Sequence, residues 1–90
     1  HFLLRVKGTS MILDGINDGD LAIVRPANTA KNGDTVVAVV DGEVTLKRFR
    51  KAKNTITLIP ANDQLTPMEY PASRVEIRGV FVGLVRTAVR

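Results

Sequence analysis

Short runs of apolar and β-branched residues, separated by Gly, Asn, Asp and Pro, recur along the whole chain. Runs of this length joined by turn residues are typical of strands, whereas the apolar positions of a helix recur every three or four residues. The pattern therefore predicts an all-β fold. The predicted strands span residues 2–6, 21–25, 35–40, 43–50, 55–59, 75–77 and 80–86.

Turn signals separate these strands. Asp41-Gly42 lies between two of them and predicts a type I′ hairpin turn, because both central residues of that turn need positive φ. Residues 52–54 predict a second tight turn. Pro67 and Pro71 predict an irregular path between them, since proline cannot donate to a strand ladder. Residues 11–16 predict a single helical turn.

One strand pair places a lysine in an unusual position. Residues 35–40 are apolar on both faces, which indicates a central strand buried on both sides. The side chains of residues 43–50 point alternately to the two faces of their strand. Lys47 is therefore expected in mid-strand, beside Phe49 and next to the buried strand of residues 35–40. Burial disfavours a charged ammonium and lowers the pKa of a lysine. The pattern itself therefore indicates a functional role for Lys47.

Composition limits the classes of protein. Ninety residues fit one small domain, and we assign residues 1–90 to it. The net charge of +4 permits binding to nucleic acid, but charge alone is weak support for it because small basic domains are common. No apolar run approaches the roughly 20 residues of a membrane span, so no membrane association is expected. The chain has no cysteine, which is compatible with the cytoplasm and removes disulfides and thiol catalysis.

Candidate chemistry centres on a serine. The only histidine is residue 1, so neither a Ser-His-Asp triad nor a Cys-His pair is expected. A nucleophilic hydroxyl would need a lysine, a carboxylate or Tyr70 as its base. On its own, Ser10 in Gly8-Thr9-Ser10-Met11 is more often a turn or helix-cap residue.

The order of several motifs favours the catalytic interpretation. The segments that carry this order are residues 8–11, 15–20, 41–49, 58–62 followed by Pro67, and 79–86. With these segments the chain resembles the self-cleaving serine peptidase domain of the LexA repressor family, which includes UmuD-type polymerase subunits and phage repressors. Ser10 and Lys47 are 37 residues apart, which agrees with that family.

The resemblance implies a fold and a site. The fold would be a small all-β domain of coiled antiparallel sheets with an SH3-like barrel portion. Ser10 would be the nucleophile, Lys47 the general base, and the backbone N–H groups of Thr9 and Ser10 the oxyanion hole. Thr45, on the same strand face as Lys47, would orient the amine, and Met11 would support the serine. No cofactor or metal is implied.

The resemblance also implies partners. The domain would form a homodimer through the strand from Val80 to Val85, and a RecA-type recombinase filament would act as co-protease. DNA would be bound only by an N-terminal domain. The family's cleavage segment lies well upstream of the serine, and only nine residues precede Ser10, so we expect that segment outside this chain.

Other interpretations stay open. A UmuD-type accessory subunit of an error-prone polymerase and a phage repressor domain would share the same motifs. A basic β-barrel that only binds nucleic acid is a further alternative, based on the charges in residues 47–53. A calcium loop starting at Asp14 is disfavoured because Ile16 and Arg25 occupy positions that need oxygen ligands. A signal peptidase is disfavoured by the lack of a membrane anchor.

Overall fold

A computed structural model describes residues 1–87; the last three residues of the domain assigned to 1–90 lie outside this range. Its strands are β1 (Phe2–Arg5), β2 (Leu21–Pro26), β3 (Thr35–Val40), β4 (Glu43–Ala52), β5 (Thr55–Ile59), β6 (Met68–Pro71) and β7 (Val75–Val85), and 3₁₀ turns span Ile12–Asp14 and Ala72–Arg74. The seven strands are antiparallel and form one sheet in the order β1-β2-β7-β3-β4-β5-β6. The predicted all-β, antiparallel fold is confirmed, and the described residues contain no α-helix.

The predicted turns are confirmed. Asp41 and Gly42 have φ values of 52° and 80°, as a type I′ turn requires, and they join β3 to β4. Lys53 has a φ of 56° in the second tight turn, between β4 and β5. The helical turn predicted within residues 11–16 is the first 3₁₀ turn.

Two predictions about strand ends are wrong. The stretch between Pro67 and Pro71 is not irregular, because it contains β6, which pairs with β5. β6 is an edge strand, so its outer flank needs no N–H donors and the terminal proline is tolerated. The predicted break before Val80 is also absent. Gly79 continues β7 where β2 approaches closely, since a Cβ there would lie 2.4 Å from Val24 Cγ1.

β3 separates two apolar cores, as its pattern predicts. Val37 joins one core, whereas Val36 and Ala38 join the other. The first core also contains Val6, Met11, Ile16, Ala22, Val24, Leu46 and Ala61. The second also contains Val40, Phe49, Ile56, Leu58, Ile77 and Val80. Met11, which is 1% exposed, anchors the loop that carries Ser10 in the first core.

An ion pair between exposed Arg86 and buried Asp20 fixes the end of β7 to the β1–β2 connection. Asp20 is 4% exposed, and Arg86 donates from Nε and Nη2 to its two carboxylate oxygens at 2.8 and 2.7 Å. The backbone N–H of Asn17 donates to the same carboxylate at 2.7 Å. These bonds, the one from Arg86 first, lower the pKa of Asp20 to about 2. Arg86 also donates to the Gly15 carbonyl, so one side chain holds the loop at two points.

Acid should weaken this attachment. The folded-state pKa of Asp20, about 2, lies below the roughly 3.9 of an unfolded aspartate. The contribution of Asp20 to the free energy of unfolding is therefore complete above about pH 4 and is lost as the pH falls towards 2. Asp20→Asn should lower the unfolding free energy at pH 6, and its stability should depend less on pH below 4, as measured by urea denaturation. Asp63→Asn, at an exposed position, is the control. Equal acid dependence in Asp20→Asn and the native chain would contradict the assignment.

Candidate active site

The loop between β1 and β2, residues 6–20, positions Ser10, and we call it the serine loop. The backbone N–H of Gly8 donates to Asp18 Oδ1 at 2.7 Å, which closes the loop across its two ends. Ile12 N–H donates to the Thr9 carbonyl at 3.2 Å at the start of the first 3₁₀ turn. Because Met11 is buried in the core, its neighbour Ser10 is held at the surface of that core.

Other elements hold the same loop from outside. Leu13 N–H donates to the Ala61 carbonyl at 2.8 Å, so the segment after β5 lies against the turn. Arg48 of β4 donates from Nε and Nη2 to both carboxylate oxygens of Asp14. This pair was not predicted, since residues 34 positions apart give no local signal in the sequence. Its bidentate geometry attaches the serine loop to the strand that carries Lys47.

The Lys47 side chain meets Ser10 and Thr45. Its Nζ lies 3.2 Å from Ser10 Oγ and 2.5 Å from Thr45 Oγ1. Thr45 precedes Lys47 by two residues on β4, so both side chains project from the same face of the strand. Lys47 is half-buried and opposite Val36, a fully buried residue of β3. The structure thus brings together three of the residues singled out by sequence.

The surroundings of Lys47 make its neutral form more accessible than that of a free lysine. Burial lowers the pKa of Lys47, and the negative charge of Glu43 partly opposes this effect by raising it. A neutral amine has one lone pair and two N–H groups. It can accept the proton of Ser10 Oγ while it donates to Thr45 Oγ1, and both contacts are at hydrogen-bond distance.

Backbone donors lie next to the serine. In residues 1–87, the N–H groups of Thr9 and Ser10 donate to no other part of the chain. Two successive N–H groups beside a nucleophilic oxygen are a common arrangement for stabilising an oxyanion.

Two clefts meet at the lysine. The larger, with a volume of 540 Å³, contains Ser10 and has both β1 and the serine loop in its walls. The smaller, of 320 Å³, lies on the side of β5 and β6 and includes Tyr70. Glu43, Thr45 and Lys47 line both. The larger cleft combines apolar side chains with the candidate nucleophile, which suits a peptide segment.

The three aspartates of the serine loop each have a different partner. Asp14 pairs with Arg48, Asp18 accepts from Gly8 N–H, and Asp20 pairs with Arg86. These contacts give each carboxylate a structural role. Among the residues described, no three acidic or histidine side chains form a group that could hold a metal ion. That part of the chain also contains no helix long and apolar enough to cross a membrane.

The basic run on β4 does not form one surface. Arg48 and Arg50 project from one face of the strand, and Lys47 and Lys51 from the other, because side chains alternate along a strand. The division disfavours a continuous phosphate-binding stripe.

Comparison with known proteins agrees with the resemblance seen in the sequence. The Peptidase S24-like family matches residues 1–82. The LexA repressor of Thermotoga petrophila is 54% identical over 86 residues, which are 96% of this chain and 44% of the relative. The LexA repressor of Cereibacter sphaeroides is 51% identical over 88 residues, 97% of this chain and 39% of the relative. The LexA repressor of Alcanivorax borkumensis is 48% identical over 85 residues, which are 94% of this chain and 42% of the relative. The chain therefore spans less than half the length of the curated relatives it matches.

Proposed function

Because this chain belongs to the Peptidase S24-like family and is of the LexA type, we propose that it is the self-cleaving serine peptidase domain of a LexA-type repressor. Ser10 is the nucleophile and Lys47 the general base. The observation that most supports this proposal is the 3.2 Å separation between Lys47 Nζ and Ser10 Oγ, in a half-buried site that lowers the pKa of the lysine.

Acylation begins with the neutral amine. Lys47 Nζ accepts the proton of Ser10 Oγ as the oxygen attacks the carbonyl carbon of the scissile peptide bond. The carbonyl oxygen becomes an oxyanion, which the N–H groups of Thr9 and Ser10 stabilise. The tetrahedral intermediate then collapses, the C–N bond breaks, and the Lys47 ammonium returns a proton to the leaving amine.

Deacylation repeats these steps with water. Neutral Lys47 accepts a proton from a water molecule as its oxygen attacks the ester carbonyl carbon. The second tetrahedral intermediate releases the new carboxyl group, and the ammonium returns the proton to Ser10 Oγ. Thr45 Oγ1 orients the amine throughout by accepting a hydrogen bond from one of its N–H groups. Buried Met11 keeps Ser10 in place.

The substrate is a segment of the repressor itself. An extended peptide in the 540 Å³ cleft would lie beside Ser10 and along β4. By resemblance, an N-terminal DNA-binding domain represses genes of the DNA-damage (SOS) response, and a RecA-type filament promotes cleavage. Those events would occur in the cytoplasm and require no cofactor.

The same domain dimerises in this proposal. β7 pairs with β2 as far as Val85, so the strand is not at an edge of the sheet along that flank. Its pairing with β3 ends at Val80, and the second flank of residues 81–85 has no partner strand within the described chain. Val82 is 50% and Val85 40% exposed. A second copy of β7 would complete this flank and cover those side chains.

The family alternatives give the same site a different context. A UmuD-type polymerase subunit or a phage repressor would use Ser10 and Lys47 in the same chemistry. The repressor is preferred because the relatives from Thermotoga petrophila, Cereibacter sphaeroides and Alcanivorax borkumensis are LexA repressors.

Cleavage should increase with pH. Only the neutral form of Lys47 accepts a proton, so the rate should rise until the pH passes the lysine pKa, which burial places below the roughly 10.4 of a free lysine. The assay is cleavage, by this chain, of a peptide that carries a LexA-type cleavage segment. Ser10→Ala and Lys47→Arg should each lower the rate by about 10³-fold or more, since a guanidinium stays protonated. Lys51→Arg is the matched control and should cut normally. Native rates in Lys47→Arg would exclude lysine as the base.

A charge on the exposed side of β7 should weaken the proposed dimer. Val82→Glu places a charge on the exposed side of β7 and should raise the dimer dissociation constant at least about tenfold, because a carboxylate is costly to bury in an interface. Met68→Glu, at an equally exposed residue of β6, should leave dimerisation unchanged. Sedimentation equilibrium measures both. A native chain that stays monomeric at high micromolar concentration would contradict the proposal.

A further inference from the structure

A side chain outside the catalytic pair holds the peptide group that precedes Ser10. Asn62 Nδ2 donates to the Thr9 carbonyl at 2.8 Å, from the segment that follows β5. Ile12 N–H donates to the same oxygen at 3.2 Å. The Thr9 carbonyl is therefore held by two donors that come from different parts of the chain.

Fixing this carbonyl also fixes an N–H group. The peptide bond between Thr9 and Ser10 is planar and trans, so the Thr9 carbonyl and the Ser10 N–H point in opposite directions. If the peptide rotated, both groups would turn together. The bonds to the Thr9 oxygen thus hold the Ser10 N–H in one direction, although that N–H donates to no acceptor of its own in residues 1–87.

Asn62 is itself held in place. Its Oδ1 accepts a hydrogen bond from Gln64 N–H at 2.8 Å, which leaves Nδ2 directed towards Thr9. The preceding residue, Ala61, is 4% exposed, and its carbonyl accepts from Leu13 N–H. The segment is therefore attached to the serine loop at two places and has few alternative positions.

We propose that Asn62 is a positioning residue for the oxyanion hole. It touches neither the scissile bond nor Lys47, and it acts by holding the Thr9–Ser10 peptide so that the Ser10 N–H faces the developing oxyanion. The inference depends on the proposed peptidase function. A prealigned donor stabilises the transition state without reorganising during the reaction, and a single such donor changes kcat by about 10²–10³-fold.

The test compares two substitutions. Asn62→Asp retains an oxygen for Gln64 N–H but cannot donate to the Thr9 carbonyl. Asn62→Ala removes both bonds and adds no charge. Each should lower kcat for the trans-cleaved peptide by about 10-fold or more and change KM less than about twofold, because the oxyanion exists only after the attack. Affinity for a peptide boronate, which forms a tetrahedral adduct on Ser10, should fall by a similar factor.

Asn32→Ala is the matched control. Asn32 also uses both ends of its amide, with the backbone of Lys51, but it lies away from the serine loop. It should leave kcat and boronate affinity unchanged. Circular dichroism establishes which variants fold, and the pH profile of Asn62→Ala should keep the native midpoint because Lys47 is not affected.

The possible results separate the two claims. If the native chain cuts the peptide and a folded Asn62 variant has native kcat, the inference is wrong and the peptidase function stands. A rise in KM alone, or an equal loss in Asn32→Ala, also overturns the inference. If the native chain and Ser10→Ala are equally inactive, the proposed function itself fails.

Discussion

The amine of Lys47 is half-buried on β4 between the hydroxyl groups of Ser10 and Thr45, at 3.2 and 2.5 Å. An ammonium in that position loses part of its hydration, and the nearby carboxylate of Glu43 only partly offsets this loss. The rest of the site depends on this loss. A free lysine would be protonated at neutral pH and could not act as a base, whereas burial moves its pKa towards the range in which it can.

The fold provides this burial by two means. β3 is packed on both faces and is the neighbouring strand of β4, with the fully buried Val36 in register beside Lys47. The serine loop closes the other side, and it is held by contacts far apart in sequence, including Asp14 with Arg48 and Asp20 with Arg86. These ion pairs lie outside the proposed catalytic pair. The first holds the loop against β4 and the second holds it to the end of β7, so that Ser10 stays within reach of the amine.

Sequence patterns predicted the parts of the structure that depend on local chemistry. The strand alternation around Lys47, the Asp41-Gly42 turn and the two-sided burial of β3 all follow from residue type and spacing. β6 was missed because proline was read as a strand breaker, whereas an edge strand tolerates it. A break was predicted between residues 77 and 80, although β7 continues there and Gly79 marks a close approach of β2 that no local pattern reveals.

The candidate site was likewise predicted only in part from the sequence. The motifs and their order indicated Ser10, Lys47 and Thr45, and the structure brings these side chains together. The contact from Asn62 to Thr9 was not predicted, because it joins residues 53 positions apart through one amide. Long-range polar contacts of this kind depend on the completed fold, and residue type alone does not specify them.

A direct titration of Lys47 tests whether burial lowers its pKa. Lysine side chains labelled with ¹³C at Cε can be followed by NMR across a pH series, with Lys47 assigned from the Lys47→Arg variant. We expect Lys47 to titrate below the roughly 10.4 of a free lysine, and Glu43→Gln to lower the pKa of Lys47 further by removing the opposing charge. A Lys47 pKa equal to that of a free lysine would contradict the proposed mechanism, because the side chain would then remain protonated and could not serve as the base for Ser10.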